Sequence, residues 1–155
     1  MKILLVEDED LKRNEIIAFL KDSAPFCFLD LAKSLQSGLK SILHNQYDLV
    51  VLDMTMHTYD VSIDEEGGRP QAFAGREILR QMSRRKIDTP VVVLSQFDRF
   101  GEANNLITIT ELDSELKKNH PSIYIGAISF SSKREGWKNS LLKIINTLTH
   151  TRDNV

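Results

Sequence analysis

The amino-acid sequence predicts an α/β fold: a doubly wound parallel sheet of five strands, with helices on both faces. Three observations support this prediction. Short apolar runs alternate along the chain with segments whose apolar residues recur at helical spacing. The runs lack alternating polar side chains, as expected for strands that are buried on both faces. The chain of 155 residues is also long enough for one domain of this kind with its own core.

The predicted strands cover residues 3–6, 26–29, 49–52, 91–94 and 123–128. We expect Asp10 to cap the first helix and Thr110 to begin the fourth. Two irregular segments, residues 54–74 and 96–109, are predicted to be loops. The apolar faces of the five predicted helices are, in chain order, Ile16, Ile17 and Leu20; Leu35, Leu39, Ile42 and Leu43; Ile78, Leu79 and Met82; Leu112 and Leu116; and Trp137, Leu141, Ile144, Ile145 and Leu148.

The composition argues against several classes of function. The formal net charge is -2, from 20 basic and 22 acidic side chains, so the chain has no general attraction to nucleic acid or anionic membranes. A single cysteine, Cys27, rules out an internal disulfide and suits a reducing compartment. No signal peptide is visible, and no apolar stretch approaches the roughly 20 residues of a membrane span. We therefore expect a cytoplasmic protein that binds neither DNA nor a membrane.

Polar side chains follow the predicted strands at their carboxyl ends, where doubly wound sheets bind their ligands. Glu7 and Asp8 follow the first strand, Asp53 the third and Ser95 the fourth, while Lys133 comes a few residues after the fifth. Clustered carboxylates repel one another and require a cation, and an all-oxygen site suits Mg²⁺. A carboxylate can also accept a phosphoryl group, whose charge a metal ion and a lysine together neutralise.

Each of these residues has a simpler interpretation when it is taken alone. Glu7 and Asp8 could form a solvated acidic turn, Asp53 could cap a loop, and Ser95 could cap a helix. A shared site is favoured because suitable polar groups follow four different strands. The histidines show no spacing typical of metal ligands, so we predict that they lie at the surface: His44, His57, His120 and His150.

Five motifs follow one another along the chain: Ile3-Leu4-Leu5-Val6-Glu7-Asp8, Leu49-Val50-Val51-Leu52-Asp53-Met54, Gly75-Arg76-Glu77-Ile78-Leu79, the segment from Pro90 to Ser95, and Gly126-Ala127 with Phe130 and Lys133. Taken in order, these motifs resemble those of the receiver domains of bacterial response regulators. The resemblance covers essentially the whole chain and implies the flavodoxin-like strand order 2-1-3-4-5. We place the receiver domain in residues 1–150, followed by a short polar tail at 151–155.

The resemblance implies a phosphorylation site and a metal site. Asp53 would accept the phosphoryl group. Mg²⁺ would be held by Asp8 and Asp53 directly, by Glu7 through water, and by the backbone carbonyl of Thr55.

The resemblance also implies phosphoryl-binding and switch residues. Ser95 would hydrogen-bond the phosphoryl group, and Lys133 would form an ion pair with it. Phe130 would be the aromatic residue whose orientation, together with Ser95, follows phosphorylation.

The sequence departs from the family's pattern at three positions besides the two irregular segments. His57 stands where receivers commonly have proline, four residues after the phosphoacceptor. Gln96 stands where a small residue usually opens a path to the phosphoryl group, so it could control access. Arg134 follows Lys133 where proline is usual, often after a cis peptide bond.

These features predict a single-domain response regulator that receives its phosphoryl group from a histidine kinase or phosphotransfer protein. It would signal through an effector protein or act as a phosphoryl shuttle or sink, with no catalysis beyond its own phosphorylation and slow dephosphorylation. One alternative is a receiver-like interaction module that does not use phosphate. Another is a phosphatase of the haloacid-dehalogenase type, although such enzymes carry a second Asp where this chain has Thr55. Phe97 and Phe100 are either loop anchors or a docking patch.

Overall fold

Five parallel strands form the central sheet in the order β2-β1-β3-β4-β7, which confirms the predicted doubly wound architecture. The computed structural model describes residues 1–61 and 69–154. Its strands are β1 (Lys2–Val6), β2 (Phe28–Ala32), β3 (Leu49–Leu52), β4 (Val91–Ser95), β5 (Arg99–Phe100), β6 (Ile107–Thr108) and β7 (Tyr124–Ser129). Its helices are α1 (Asp10–Ser23), α2 (Leu35–His44), α3 (Ala74–Arg84), α4 (Ile109–Asn119) and α5 (Gly136–Asp153).

Successive residues of the central strands pack into two separate cores, one on each face of the sheet. In β1, Leu4 and Val6 belong to the core covered by α2, α3 and α4. Ile3 and Leu5 belong to the core covered by α1 and α5. All four side chains are almost completely buried, so neither face of β1 tolerates a polar position. This explains why the strand reads as an uninterrupted apolar run.

The register of the sheet brings the carboxyl ends of three strands together. Val6 at the end of β1 pairs with Leu52 at the end of β3. Leu52 in turn pairs with Val93 of β4. Residues that directly follow β1 and β3 therefore emerge side by side at one edge of the sheet, next to the last residues of β4.

The second strand lies further along the chain than predicted. The sequence pattern placed it at residues 26–29, whereas β2 covers Phe28–Ala32. The prediction was wrong because Asp30 interrupts the apolar run. β2 is an edge strand, and its Asp30 carboxylate accepts a hydrogen bond from Tyr47 Oη at 2.7 Å. An edge position allows such a side chain because only one neighbouring strand covers it.

The two irregular segments contain more order than the sequence suggested. In the first, Met56 and Gln71 form an antiparallel bridge that draws its ends together. Residues 62–68 of this predicted loop lie outside the described residues. In the second, β5 and β6 pair as an antiparallel hairpin, with Phe100 opposite Ile107.

Both later helices have bounds that differ from the prediction. α4 begins earlier, because the Thr108 hydroxyl, not Thr110, accepts the backbone N–H of Glu111 at 3.1 Å. α5 continues through Asp153, well past the predicted end near Leu148.

His120 is buried and hydrogen-bonded to Ser83, so its predicted surface position was wrong. Within the described part of the chain, no helix combines the length and apolar character needed to cross a membrane.

Candidate functional site

Three carboxylates converge at the edge of the sheet where β1 and β3 end. Glu7, Asp8 and Asp53 each offer an oxygen, and these oxygens lie within 4.8 Å of one another. Glu7 and Asp53 are buried, while Asp8 is partly exposed. The strand register produces this convergence directly, since Glu7 follows Val6 and Asp53 follows its partner Leu52.

A lysine that was not among the predicted site residues lies inside this cluster. Lys12 Nζ is 2.6 Å from Glu7 Oε2 and 3.2 Å from Asp53 Oδ2. It also donates a hydrogen bond to the backbone carbonyl of Leu94 at 2.6 Å. The side chain of Lys12 is only 1% exposed, so its ammonium is surrounded by these acceptors and shielded from water. The cluster is therefore a buried charge network joining α1 to three strands.

The electrostatics of the cluster act most strongly on Glu7. Burial, together with the neighbouring charge of Asp53, raises the pKa of Glu7 to about 8. The Lys12 ammonium lowers that pKa but does not offset the effect of burial. Near neutral pH, Glu7 is therefore mostly protonated, and this reduces the negative charge that the Lys12 ammonium faces.

Asp8 is held from another direction by His57. His57 Nδ1 lies 2.9 Å from Asp8 Oδ2, and the backbone N–H of His57 donates to the same oxygen at 3.2 Å. The residue at the position where receivers commonly have proline thus contacts the acidic cluster. Thr55 lies nearby in the chain and donates its hydroxyl to the carbonyl of Ala72 at 3.1 Å.

The backbone around Asp53 is fixed by α3. The N–H of Met54 donates to Asp53 Oδ1 at 2.7 Å, and the N–H of Gly75 donates to the Met54 carbonyl at 2.9 Å. A Cβ atom at position 75 would lie 2.7 Å from the carbonyl oxygen of Asp53. Glycine is therefore required where α3 approaches the strand end.

Ser95 and Phe130 lie on the adjoining strand ends. Ser95 is fully buried, and its hydroxyl accepts the backbone N–H of Phe97 at 3.2 Å. The backbone N–H of Phe130 donates to the Ser95 carbonyl at 2.8 Å. The Phe130 ring is buried, with its centroid 5.6 Å from Lys12 Nζ. Gln96, the suggested access residue, is exposed.

Lys133 does not join the other site residues in this structure. Its side chain is exposed in the turn between β7 and α5, where its backbone N–H donates to Ser131 Oγ at 3.3 Å. It forms no ion pair with any residue of the described ranges 1–61 and 69–154. The peptide bond from Lys133 to Arg134 is trans, like every other in the described chain.

A sequence signal for Lys12 did exist. Lys12, Ile16 and Leu20 follow one another at intervals of four, so they share one face of α1. Ile16 and Leu20 are buried against the sheet, and Lys12 is the first residue of that stripe. A lysine at the start of an apolar stripe, four residues after the end of the Glu7-Asp8 pair, indicates a buried ion pair, although lysines are rarely buried.

The donor set suits a hard divalent cation. All three carboxylates offer oxygen, and no thiolate or imidazole belongs to the cluster in the described residues. Mg²⁺ prefers such ligands and needs only one or two carboxylates. The cluster could therefore hold Mg²⁺, although Lys12 already contacts two of its members.

Comparison with known proteins identifies the family. The family model for the response regulator receiver domain matches residues 3–128. Uncharacterized protein y4jR of Sinorhizobium fredii is 33% identical, over 91% of this chain and 94% of the relative. The Detocs response regulatory protein DtcB of Enterobacter cloacae is 31% identical, and the match covers 96% of this chain and 100% of the relative.

Solved structures share the fold. The receiver domain of the Francisella response regulator 1452 superimposes with a TM-score of 0.62 at 23% identity, covering 97% of this chain and 98% of the other. The response regulator TrrA of Thermotoga maritima, solved in complex with Mg²⁺ and BeF, gives a TM-score of 0.59 at 21% identity, covering 92% of this chain and 96% of the other. The flavodoxin-like sheet, the acidic cluster at its carboxyl edge and the match over residues 3–128 lead to one conclusion: the chain belongs to the response regulator receiver family.

Proposed function

We propose that the chain is a response regulator whose Asp53 accepts a phosphoryl group from a histidine kinase or a phosphotransfer protein. The observation that carries this proposal is the buried carboxylate of Asp53 within 4.8 Å of the Glu7 and Asp8 oxygens. Burying these carboxylates costs free energy, because desolvation and their mutual repulsion disfavour the charged forms, as the raised pKa of Glu7 shows.

The transfer breaks the N–P bond of the donor's phosphohistidine and forms an O–P bond to a carboxylate oxygen of Asp53. The electron pair of the broken bond stays on the imidazole, which takes up a proton from solvent. The hydrogen bond from Met54 N–H to Asp53 Oδ1 fixes the carboxylate plane, so that one oxygen is oriented for attack.

The residues that would hold Mg²⁺ are Asp8 and Asp53, with Glu7 acting through water and Thr55 through its backbone carbonyl. When bound, the metal ion would neutralise charge on the transferred group. His57 orients Asp8 through two hydrogen bonds to one oxygen, which limits the ways that carboxylate can turn. The neighbour solved with Mg²⁺ and BeF supports this assignment by its fold.

Ser95 and Phe130 would report phosphorylation to the surface. The Ser95 hydroxyl oxygen accepts a hydrogen bond from the Phe97 N–H. Its own hydrogen can therefore be donated to a phosphoryl oxygen. Any movement of Ser95 would be passed to Phe130, because the two backbones are bonded at 2.8 Å. The output would then pass to a protein partner, or the chain would serve as a phosphoryl shuttle or sink.

One observation favours the second candidate, a receiver-like interaction module that does not use phosphate. Lys133, to which the resemblance assigns the ion pair with the phosphoryl group, is exposed and unpaired among the described residues. The phosphatase alternative has no such support, since Thr55 stands where its second Asp would be required.

Labelling of Asp53 tests the proposal. The wild-type chain, incubated with Mg²⁺ and acetyl phosphate or a phosphohistidine donor, should gain one alkali-labile phosphoryl group by intact mass. Asp53→Asn should gain none. Asp88→Asn is the matched control, because the exposed Asp88 precedes β4 at the opposite edge of the sheet. Labelling of Asp53→Asn at another residue would refute the assignment, and a wild-type chain that no donor labels would favour the interaction module.

A further inference from the structure

We propose that the buried ammonium of Lys12 competes with a divalent cation for the acidic cluster, and that this competition lowers the affinity of the site for Mg²⁺. The inference deepens the proposed function and rests on it, because it takes the cluster to be the metal site. It concerns a residue of α1 and leaves the site residues implied by the resemblance, Lys133 among them, in their roles.

The first argument is that the ammonium and the metal ion would use the same carboxylate oxygens. Lys12 Nζ lies 3.2 Å from Asp53 Oδ2, and Asp53 Oδ1 accepts the backbone N–H of Met54 at 2.7 Å. Lys12 Nζ also lies 2.6 Å from Glu7 Oε2, and Glu7 Oε1 accepts the backbone N–H of Glu9 at 3.1 Å. Every oxygen of these two carboxylates therefore has a donor, so an ion that binds Asp53 must share an oxygen with a donor or displace it.

The second argument is the repulsion between the two cations. An ion held by Asp53 would have the Lys12 ammonium as a near neighbour, because both contact the same carboxylate. The side chain of Lys12 is 1% exposed and that of Asp53 is 4% exposed, so little water screens this repulsion. The ammonium also offsets part of the negative charge that attracts an ion to the cluster. Both effects weaken metal binding.

The third argument is that Lys12 is anchored beside the cluster by groups that a metal ion would not take from it. Its Nζ donates a hydrogen bond to the backbone carbonyl of Leu94 at 2.6 Å. It also lies 5.6 Å from the centroid of the Phe130 ring. Both contacts stabilise a cation without using a carboxylate. The ammonium therefore stays close to the metal site even when it releases Asp53, and its repulsion persists.

Mg²⁺ titrations of two matched variants test the proposal. Lys12→Met removes the ammonium and keeps an unbranched chain, while Lys21→Met removes an exposed lysine from the same helix. At one fixed pH, Lys12→Met should bind Mg²⁺ about tenfold to a hundredfold more tightly than wild type, because a like charge has left a poorly solvated site. Lys21→Met should stay within about twofold of wild type, since solvent screens its charge. Equal affinities of wild type and Lys12→Met would overturn the proposal.

The free energy of unfolding gives a second readout, which a merely structural role of Lys12 would not produce. In EDTA, Lys12→Met should be less stable than wild type, because Glu7 and Asp53 have lost their buried cation. Saturating Mg²⁺ should remove most of this difference, since an ion that binds the variant more tightly stabilises it more. A difference that is the same with and without Mg²⁺ would show that Lys12 only packs in the core, and would overturn the proposal.

Wild-type protein provides a test that does not depend on whether Lys12→Met folds. In protein with ¹⁵N-labelled lysine, the buried Lys12 ammonium should give a slowly exchanging signal that shifts when Mg²⁺ binds and broadens when paramagnetic Mn²⁺ binds. A Lys12 signal that saturating metal leaves unchanged would overturn the proposal. Failure of the proposed function gives different results, because Asp53 would then take no phosphoryl label, or Asp8→Ala would leave Mg²⁺ binding unchanged in both wild type and Lys12→Met.

Discussion

Asp8 Oδ2 accepts two hydrogen bonds from His57, one from the backbone N–H at 3.2 Å and one from the ring at 2.9 Å. The pair joins the end of β1 to the segment after β3, so the acidic cluster and the first irregular segment are mechanically linked. A proline at position 57 could make neither contact, since it has no N–H and no ring donor. The departure from the family's pattern therefore has a direct effect on a proposed metal ligand.

Replacement of Asp8 should remove most of the Mg²⁺ binding. In Asp8→Ala the cluster loses its most exposed carboxylate, through which a hydrated ion would enter. The His57 amide resonance is a suitable reporter, because its hydrogen bond ends on the same carboxylate. We expect Mg²⁺ to shift this resonance in wild type and in the control Glu9→Gln, and to leave it unshifted in Asp8→Ala. If Mg²⁺ shifted another resonance of the site, such as the Asp53 amide, equally in Asp8→Ala and in wild type, this result would contradict the assignment.

The raised pKa of Glu7 predicts a pH-dependent stability in metal-free protein. Between the ordinary value of 4.5 and the folded value of about 8, the unfolded chain has released this proton while the native state keeps it. Native protein then binds more protons than unfolded protein, so the free energy of unfolding falls as pH rises through this window. The maximum slope is about 1.4 kcal/mol per pH unit.

Glu7→Gln removes this titration, and denaturation in EDTA measures the difference. The free energy of unfolding of Glu7→Gln minus that of wild type should increase with pH across the window and level off above about pH 8. A difference that stays constant over the whole range would show that Glu7 ionises in the native state as it does in the unfolded chain.

The sheet could be predicted because its central strands are buried on both faces and therefore read as apolar runs. The edge strand β2 was misplaced, since its Asp30 is satisfied by Tyr47, a contact between residues far apart in the chain. The β5–β6 hairpin was not foreseen because each strand contains only two residues, too few for a periodic pattern.

The candidate site could be predicted only where a residue's position directly after a buried strand determines which other residues it meets. Glu7 and Asp53 meet because each directly follows a buried strand, and the register of β1 and β3 aligns those ends. The lysines show the limit of this reasoning. Lys133 is exposed in a turn whose conformation no pattern specifies, while Lys12 enters the site from a helix because its partners offset the cost of burial.

Gly75→Ala should disturb the end of β3, where Asp53 follows the strand. The added methyl group would lie 2.7 Å from the Asp53 carbonyl oxygen and 3.1 Å from Met54 Cα, both of them backbone atoms that cannot yield freely. We expect a loss of about 1–3 kcal/mol in the free energy of unfolding, typical of overpacking, and slower labelling of Asp53. Gly126→Ala is the matched control, since no atom lies within 4 Å of its added Cβ. Equal stability of the two variants would mean that α3 can withdraw from Asp53 at little cost.

The two aromatic residues of the second irregular segment should behave differently, although the sequence suggested one role for both. Phe100 is 2% exposed, and its ring lies against Phe73 with the centroids 6.5 Å apart, whereas Phe97 is 45% exposed. Phe100 is therefore a loop anchor that joins the hairpin to the first irregular segment, and the docking interpretation applies to Phe97 alone. Urea denaturation should show that Phe100→Ala loses about 3–5 kcal/mol, as for a buried phenylalanine, while Phe97→Ala stays within about 0.5 kcal/mol of wild type. Phe97→Ala then becomes the usable variant for partner binding, because its loss of binding could not be attributed to unfolding. If Phe97→Ala were instead the more destabilised of the two, the exposed ring would have to pack on the core, and the docking interpretation would fail with it.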